Sequence, residues 1–391
     1  MRTADSLSVG LFGHCALESP LAVAKRRIAV AGGGTGGHLF PGIAIAREFV
    51  RRNPDNAVLF VSAGNTFERE TLARVGFPLE AVRIEGIKGK PMLKKLKAVL
   101  LIPKSIIAAR RILKDFRPDL VIGVGSYAAG PVVAAARLIG IPCVLHEQNR
   151  LPGLTNRMLA RFAKRIYLSF ENTVADFDPR RIRFTGNPVR NEILRVAASP
   201  RPESAHTVAT EGSGLKILII GGSQGAHQIN LAVVASLDHL KDPDRYHLIH
   251  QTGMADADWV EDAYRRHGLR AEVRPFFEDM DRRYQQADLM ICRAGATTVA
   301  EVTAIGKAVI FVPFPFAADN HQVVNARVLQ ENGAAEMIEE KDLNGALLAE
   351  RMQYYADNPA ALHRMAQKAG TFGKPEAAKM IVDDMYALME T

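Results

Sequence analysis

Apolar and polar positions along the chain recur as one unit: a short apolar run, a glycine-rich turn, then apolar residues returning every three or four positions. The first unit is the sharpest. Residues 28–31 read as a buried strand, residues 32–37 turn the chain, and a helix begins near His38. Further strands are predicted at 57–62, 79–85, 119–125, 142–145, 165–169 and 182–185, with a helix at 67–75 and another opening at Pro131, a residue suited to a first turn. Residues 196–214, rich in Ala, Ser, Pro and Thr, then read as a flexible connection, and the opening pattern starts again. Strand 216–220, glycine turn 221–226 and helix 229–240 precede strands at 246–250, 271–276, 289–292 and 308–313. Strand and helix alternate in both halves, which predicts an α/β protein of two domains, each a parallel sheet covered by helices on both faces.

The totals agree with two domains. At 391 residues the chain exceeds what one hydrophobic core supports, and 48% hydrophobic with 24% charged residues is ordinary for a soluble globular protein. A net charge of +8 favours an anionic partner: nucleic acid, an anionic membrane or a phosphorylated substrate. Cys15, Cys143 and Cys292 lack metal-ligand spacing and read as reduced packing residues of a cytosolic protein. No apolar run reaches the length that spans a bilayer. Asp5, His14 and Glu18 interrupt any signal-like segment, so residues 1–24 are expected to be a disordered extension.

The chemistry gathers at the turns. Glycines at 32–34, 36 and 37 let a phosphate approach backbone amides at a helix start, and His38 at the lip is a proton-transfer group. The glycines also satisfy G-x-G-x-x-G, but a dinucleotide fold wants an acid about twenty residues on, and the next strand ends in Ala63-Gly64-Asn65. A second ligand loop is expected at 123–131. Four polar residues, His146 to Asn149, at a strand's carboxyl end point to a site outside the sheet, and Arg150 in place of a second histidine speaks against zinc. The 221–225 turn also fits the G-x-S-x-G nucleophile elbow; its place at the start of a second domain favours Ser223 holding phosphate oxygens over a hydrolase. Asp279-Met280-Asp281 reads as a helix cap before a metal pair. Glu301, a turn into the helix after 293–295, suits ribose hydroxyls or, equally plainly, a helix amino terminus; Asp319, Asn320 and Gln322 suit sugar hydroxyls or a polar turn. Residues 88–114 alternate lysine and arginine with leucine and isoleucine without an acid, which fits an amphipathic helix on an anionic membrane and also a solvated surface helix.

Taken together, Gly33-Gly-Thr-Gly-Gly-His38 with Phe40-Pro-Gly42, Gly125-Ser-Tyr-Ala-Ala-Gly-Pro131, His146-Glu-Gln-Asn149 with Gly153-Leu-Thr-Asn156, Gly186-Asn-Pro-Val-Arg190, Gly221-Gly-Ser-Gln-Gly-Ala226, Arg293 to Glu301 and Pro315 to Gln322 resemble, in this order, the MurG family of bacterial N-acetylglucosaminyltransferases. Ser126 departs from the glycine common there, which is expected to loosen the loop. The resemblance implies a GT-B fold of two Rossmann-like domains facing a cleft: 25–195 joined by a final helix at about 372–391, a linker at 196–214, and 215–371. It implies inverting transfer of N-acetylglucosamine from UDP-N-acetylglucosamine to the 4-hydroxyl of the muramyl sugar of lipid I, a lipid-linked diphosphate acceptor, forming lipid II for peptidoglycan.

The family's roles fall on residues of this chain. His38 is the candidate general base and Glu147 its possible assistant. Donor contacts fall on Thr35, Gly36, Gly37, Asn149, Arg190, Ser223, Phe277, Ala296, Thr297, Thr298, Val299, Ala300, Glu301 and Gln322. The acceptor diphosphate falls to Gly34, Gly125, Ser126 and Tyr127. Membrane docking falls to Lys88, Lys94, Lys95, Leu96, Leu100 and Ile106, at the cytoplasmic face of the inner membrane. No cofactor, metal or nucleic acid is implied.

Overall fold

A computed structural model describes residues 25–84, 92–198, 214–222 and 225–390, with backbone alone for 92–100, 198 and 318. The expected extension at 1–24 and most of the expected linker lie outside these residues. The first half runs β1 (Arg27–Ala31), α1 (Gly36–Arg52), β2 (Ala57–Ser62), α2 (Thr66–Val75), β3 (Leu79–Ala81), α3 (Met92–Phe116), β4 (Leu120–Gly123) and α4 (Ala129–Leu138). It continues through β5 (Cys143–Glu147), α5 (Leu154–Leu159), β6 (Arg165–Leu168) and β7 (Ile182–Phe184) to α6 (Asn191–Ala198). The second half runs β8 (Leu215–Ile220), α7 (His227–Ser236), β9 (Tyr246–Gln251), α8 (Ala257–Arg266), β10 (Arg270–Arg274), α9 (Met280–Gln286) and β11 (Leu289–Cys292). It ends with α10 (Ala296–Ile305), β12 (Ala308–Phe311), α11 (His321–Glu331), β13 (Glu336–Met337), α12 (Gly345–Asp357), α13 (Pro359–Thr371) and α14 (Ala377–Glu390).

Two parallel sheets result, ordered β3-β2-β1-β4-β5-β6-β7 and β10-β9-β8-β11-β12-β13. Ile28, Ala29, Val30 and Ala31 are all fully buried, because β1 is covered on both faces. Leu39, Phe49 and Leu72 from α1 and α2 cover one face of the first sheet; Ala109, Leu113, Val132 and Leu159 from α3, α4 and α5 cover the other. In the second sheet α7 and α12 pack on one face and α9, α10 and α11 on the other.

Each sheet reverses its winding once, between β1 and β4 and between β8 and β11. Crevices open outside the carboxyl ends of strands at such points, so the topology marks the loops at 32–37 and 124–128 in one domain, and those following β8 and β11 in the other, as candidates for ligand contact.

The chain passes between domains earlier than the sequence suggests. Val189 and Ile193 pack in the second domain's core, so α6 belongs with it by packing although it begins before the 196–214 segment and runs into it. At the far end α14 crosses back onto the first domain, five residues later than expected. Ile381, Val382 and Met385 are fully buried there, each worth roughly 1.5–3 kcal/mol. Tyr386 stacks on Phe49 with ring centroids 5.4 Å apart, and the Tyr167 hydroxyl donates to Asp384 at 2.9 Å.

Candidate active site

The first domain's two loops are pressed together. A Cβ on Gly32 (φ 121°) would stand 2.2 Å from the carbonyl oxygen of Gly125, and one on Gly125 (φ 93°) 2.8 Å from His38 Nδ1. Only glycine fits either position. From the other side Glu68, wholly buried at the start of α2, accepts from the Gly34 N–H at 2.6 Å and from the Asn65 N–H at 2.8 Å, while the Asn65 side chain accepts from the Glu68 N–H. This reciprocal cap thus holds the glycine loop as well as its own helix. Thr35 ends the loop without a side-chain cap, and α1 has no acid in its first turn, so the amides of Gly36 and Gly37 open the helix uncapped. Ser126 sits at φ 65°, the conformation a glycine adopts freely, with its hydroxyl accepting from the Ala128 N–H at 3.2 Å. Tyr127 beside it is exposed.

His38 Nδ1 lies 3.1 Å from the Val124 carbonyl and 3.1 Å from Gln148 Oε1. Burial lowers its pKa below the usual histidine value; the hydrogen bonds to Gln148 and Val124 oppose that, and the charge of His321 across the cleft adds to it. The ring is neutral at pH 7.

The polar run after β5 differs from its expected reading. The strand extends to Glu147, and His146, Glu147 and Gln148 are all buried, their polar atoms satisfied inside the protein. Strand alternation turns Glu147 away from His38. Its carboxylate accepts from the Asn149 and Gly153 N–H groups at 2.9 and 3.1 Å and from Asn156 Nδ2 at 2.9 Å, so it fastens the 149–156 loop instead of assisting His38. Burial raises its pKa, and those hydrogen bonds act the other way. Asn149 alone of the four reaches the cleft, where its Oδ1 accepts from Asn325 of α11 at 3.2 Å. Asn325 also accepts from the Arg150 N–H at 3.1 Å, tying the domains together.

In the second domain α10 likewise starts uncapped, after Gly295, with no acid in its first turn. Its start meets that of α1: Thr297 Oγ1 donates to the Gly37 carbonyl at 3.3 Å. Within 296–301, Val299 points into the core, Ala300 packs against it, and Ala296 is buried, leaving Thr297 and Thr298 half-exposed. Glu301 is buried with both oxygens engaged, by Arg190 Nε at 2.7 Å and the Tyr284 hydroxyl at 2.9 Å. Arg190 also lies 4.9 Å above the Phe40 ring. The expected diphosphate and ribose ligands are thus each other's partners here.

Phe277 is a core side chain whose N–H donates to Gln251 Oε1 at 3.0 Å, so its ring offers nothing to a base and its carbonyl is what remains. Gln322 Oε1 accepts from the Phe314 N–H at 2.9 Å and closes the 314–322 loop, in which Asp319 and Asn320 both adopt positive φ. Asp279 pairs with Arg283 at 3.0 Å, one turn on. Ser223 and Lys88 lie outside the described residues, as do the side chains of Lys94, Lys95, Leu96 and Leu100. Among the described residues no three His, Cys, Asp or Glu side chains are grouped as a metal requires.

On α3, Ser105, Ala109 and Leu113 face the core and Ile106 packs against it. Ile106 is therefore only partly open to a membrane, the rest of its side chain being packed on the core. Ile102 and Ile107 are exposed instead, beside the exposed Lys104, Arg110, Arg111 and Lys114.

Asn325, Tyr284 and Glu68 were not singled out by sequence, and His146 and Gln148 were read only as members of the polar run 146–149, with no role of their own. For Glu68 a signal existed, since Asn65 and Glu68 have capping-box spacing.

Known proteins share this architecture. Residues 28–168 match the Glycosyltransferase family 28 N-terminal domain and residues 216–381 the Glycosyltransferase family 28 C-terminal domain. A UDP-N-acetylglucosamine--N-acetylmuramyl-(pentapeptide) pyrophosphoryl-undecaprenol N-acetylglucosamine transferase from Anaeromyxobacter dehalogenans is 47% identical over 358 residues, 91% of each chain. The protein of that name from Syntrophus aciditrophicus is 45% identical over 93% of this chain and 99% of its own. The crystal structure of Acinetobacter baumannii MurG superposes with a TM-score of 0.74 at 33% identity, covering 92% of this chain and 98% of that one.

Proposed function

The chain belongs to glycosyltransferase family 28, and from that premise we infer that it transfers N-acetylglucosamine from UDP-N-acetylglucosamine to the 4-hydroxyl of the muramyl sugar of lipid I, forming lipid II for peptidoglycan. The observation that carries the site assignment is the meeting of the α1 and α10 amino termini, Gly37 to Thr297, beside His38.

The acceptor hydroxyl attacks the anomeric carbon from the face opposite the diphosphate, and its proton passes to His38 Nε2. The new C–O bond forms as the bond from the anomeric carbon to the β-phosphate oxygen breaks, and its electron pair leaves on UDP. Charge building on the diphosphate is met by the uncapped amides of α10 and by Arg190, without a metal. Arg190 is held by Glu301 before the donor arrives. Donor binding exchanges these partners: the diphosphate takes Arg190, and the freed Glu301 takes the ribose hydroxyls. Asn149 and Gln322 reach the sugar, and Ser223 and the 221–226 turn a phosphate. Gly34, Gly125, Ser126 and Tyr127 form the rim on which the acceptor diphosphate rests.

The lipid-linked acceptor places the enzyme at the cytoplasmic membrane surface. No helix among the described residues is long and apolar enough to cross a membrane. The exposed face of α3, with Ile102 and Ile107 among basic residues, is the docking surface we assign.

A direct test is UDP release from UDP-N-acetylglucosamine and a lipid I analogue in EDTA. Full activity is expected, and His38→Ala is expected to lower kcat roughly 10²- to 10⁴-fold with UDP affinity intact. Unchanged turnover in the variant would remove His38 from the reaction; loss of activity in EDTA would overturn the metal-free assignment.

A further inference from the structure

We propose that Gln148 and His146 are positioning residues for the transfer, fixing the proton of neutral His38 on Nδ1 so that Nε2 is left as the base. The proposal rests on the reading of His38 as base, and the argument begins at a backbone oxygen. The Val124 carbonyl stands 2.7 Å from Gln148 Nε2 and 3.1 Å from His38 Nδ1, so it accepts from both. Were the Gln148 amide turned over, its oxygen would confront that carbonyl at hydrogen-bond distance, two acceptors face to face. The amide therefore sits one way only, with Oε1 toward His38 at 3.1 Å. His38 Nδ1 then faces two oxygens and must donate, which leaves Nε2 without its proton.

His146 locks the other end of the amide. Gln148 Nε2 also donates to His146 Nδ1 at 3.0 Å, so His146 carries its proton on Nε2, toward Ser169 Oγ at 3.3 Å. The Ser169 hydroxyl in turn donates to the Glu147 carbonyl at 2.8 Å. Every donor in this chain points one way, from His38 through Gln148, His146 and Ser169 to a backbone acceptor. Gln148 and His146 are 1% and 0% exposed, so water does not compete for these bonds. The hydroxyls and amides that rotate freely on a surface are fixed here by burial.

The arrangement favours the transition state over the ground state. Once His38 takes the acceptor proton, Nδ1–H donates from a cation to the same two oxygens, and such bonds are shorter and stronger than neutral ones. Gln148 supplies this without a charge of its own, so the ring is not locked in its protonated form. The other titratable groups acting on His38 are His321 on α11, which faces it across the cleft, and His146 on β5, behind Gln148; Glu147 is turned into its own loop.

The experiment reads the tautomer and the kinetics separately. In full-length protein labelled with nitrogen-15 at histidine, and assigned with His38→Ala, long-range proton–nitrogen spectra above pH 7 are expected to show His38 protonated on Nδ1. In Gln148→Leu a fraction protonated on Nε2 is expected to appear. In that variant kcat falls tenfold or more with the KM for UDP-N-acetylglucosamine unchanged, and the acid limb of kcat/KM moves to lower pH, because a bond favouring the protonated ring is lost. Gln148→Glu keeps an oxygen at Nδ1 and adds charge; its acid limb is expected to move to higher pH, which a merely structural role would not produce. Wild-type His38 protonated on Nε2 overturns the proposal whatever the kinetics, as does a folded Gln148→Leu variant with kcat and acid limb unmoved. Full turnover in His38→Ala would overturn the base reading, and with it the catalytic part of the proposal, while the spectrum would still report the tautomer.

Discussion

His146 and His250, one in each domain, are wholly buried, and burial drives both imidazoles down to about 3. His250 is held between the Tyr264 hydroxyl at 2.6 Å and Asn230 Oδ1 at 2.9 Å, a neutral ring in a satisfied cage. In the unfolded chain each titrates near 6.5, so between about 6.5 and 3 the unfolded state binds protons that the folded state refuses. The stability each contributes is therefore complete above pH 6.5 and is lost as pH falls below it. At pH 5.5 each domain is expected to lose about 1.4 kcal/mol from its histidine, roughly 3–6 °C in Tm for a domain of this size. Calorimetry at pH 7.5 and 5.5 checks this, and a Tm that holds or rises on acidification would contradict it. At this scale the sequence was only partly legible. Glycine at 32 and 125, histidine at 38 and the small residues opening α10 declare themselves, because few other side chains fit a close approach to backbone. Gln148 and Asn325 do not, since an amide's role depends on which carbonyl or amide the fold brings to it.

For elements, the strands were legible because a run apolar on both faces has few other uses. β5 was read two residues short, since His146 and Glu147 look unburiable until their partners are placed. The facing of α3 was not legible either. Its apolar residues occupy most of the helix surface, so periodicity alone does not choose an inner side. Ser105 takes an inward position by donating to the Arg83 carbonyl at 2.6 Å, Ile106 follows it, and Ile107 is left outside. The outward face combines two isoleucines with four basic residues. On the same side of the sheet, exposed Leu154 and Met158 of α5 and the following Phe162 add apolar area. Replacing Ile102 and Ile107 by Glu removes two exposed apolar side chains from the proposed docking face and sets two negative charges against an anionic surface, at about 1 kcal/mol per charge. Sedimentation with phosphatidylglycerol vesicles is expected to show binding reduced more than tenfold, with turnover on a detergent-dispersed acceptor unchanged. Equal sedimentation of variant and parent would remove α3 from the docking surface.

Across the whole molecule, one device is used twice. Each sheet reverses at its middle strands, each reversal opens a crevice at strand carboxyl ends, and each crevice is floored by an uncapped helix start. The recurrence of strand, glycine turn and helix at residues 28 and 216 made two domains legible from sequence. Their crossing near residues 186–190 and the return of α14 were not, because both depend on which core receives an amphipathic helix. Joined by α14, by Asn149 with Asn325 and by Gly37 with Thr297, the two crevices face one another, and the leaving diphosphate and the base are assigned to opposite walls. The most direct measurement is a crystal structure with UDP-N-acetylglucosamine bound. The account expects the diphosphate at the first turn of α10 with Arg190 turned onto it, Glu301 on the ribose, and room for one hydroxyl between the anomeric carbon and His38 Nε2. A donor whose diphosphate lies away from α10, with the Arg190–Glu301 pair intact and the anomeric carbon facing away from His38, would contradict it.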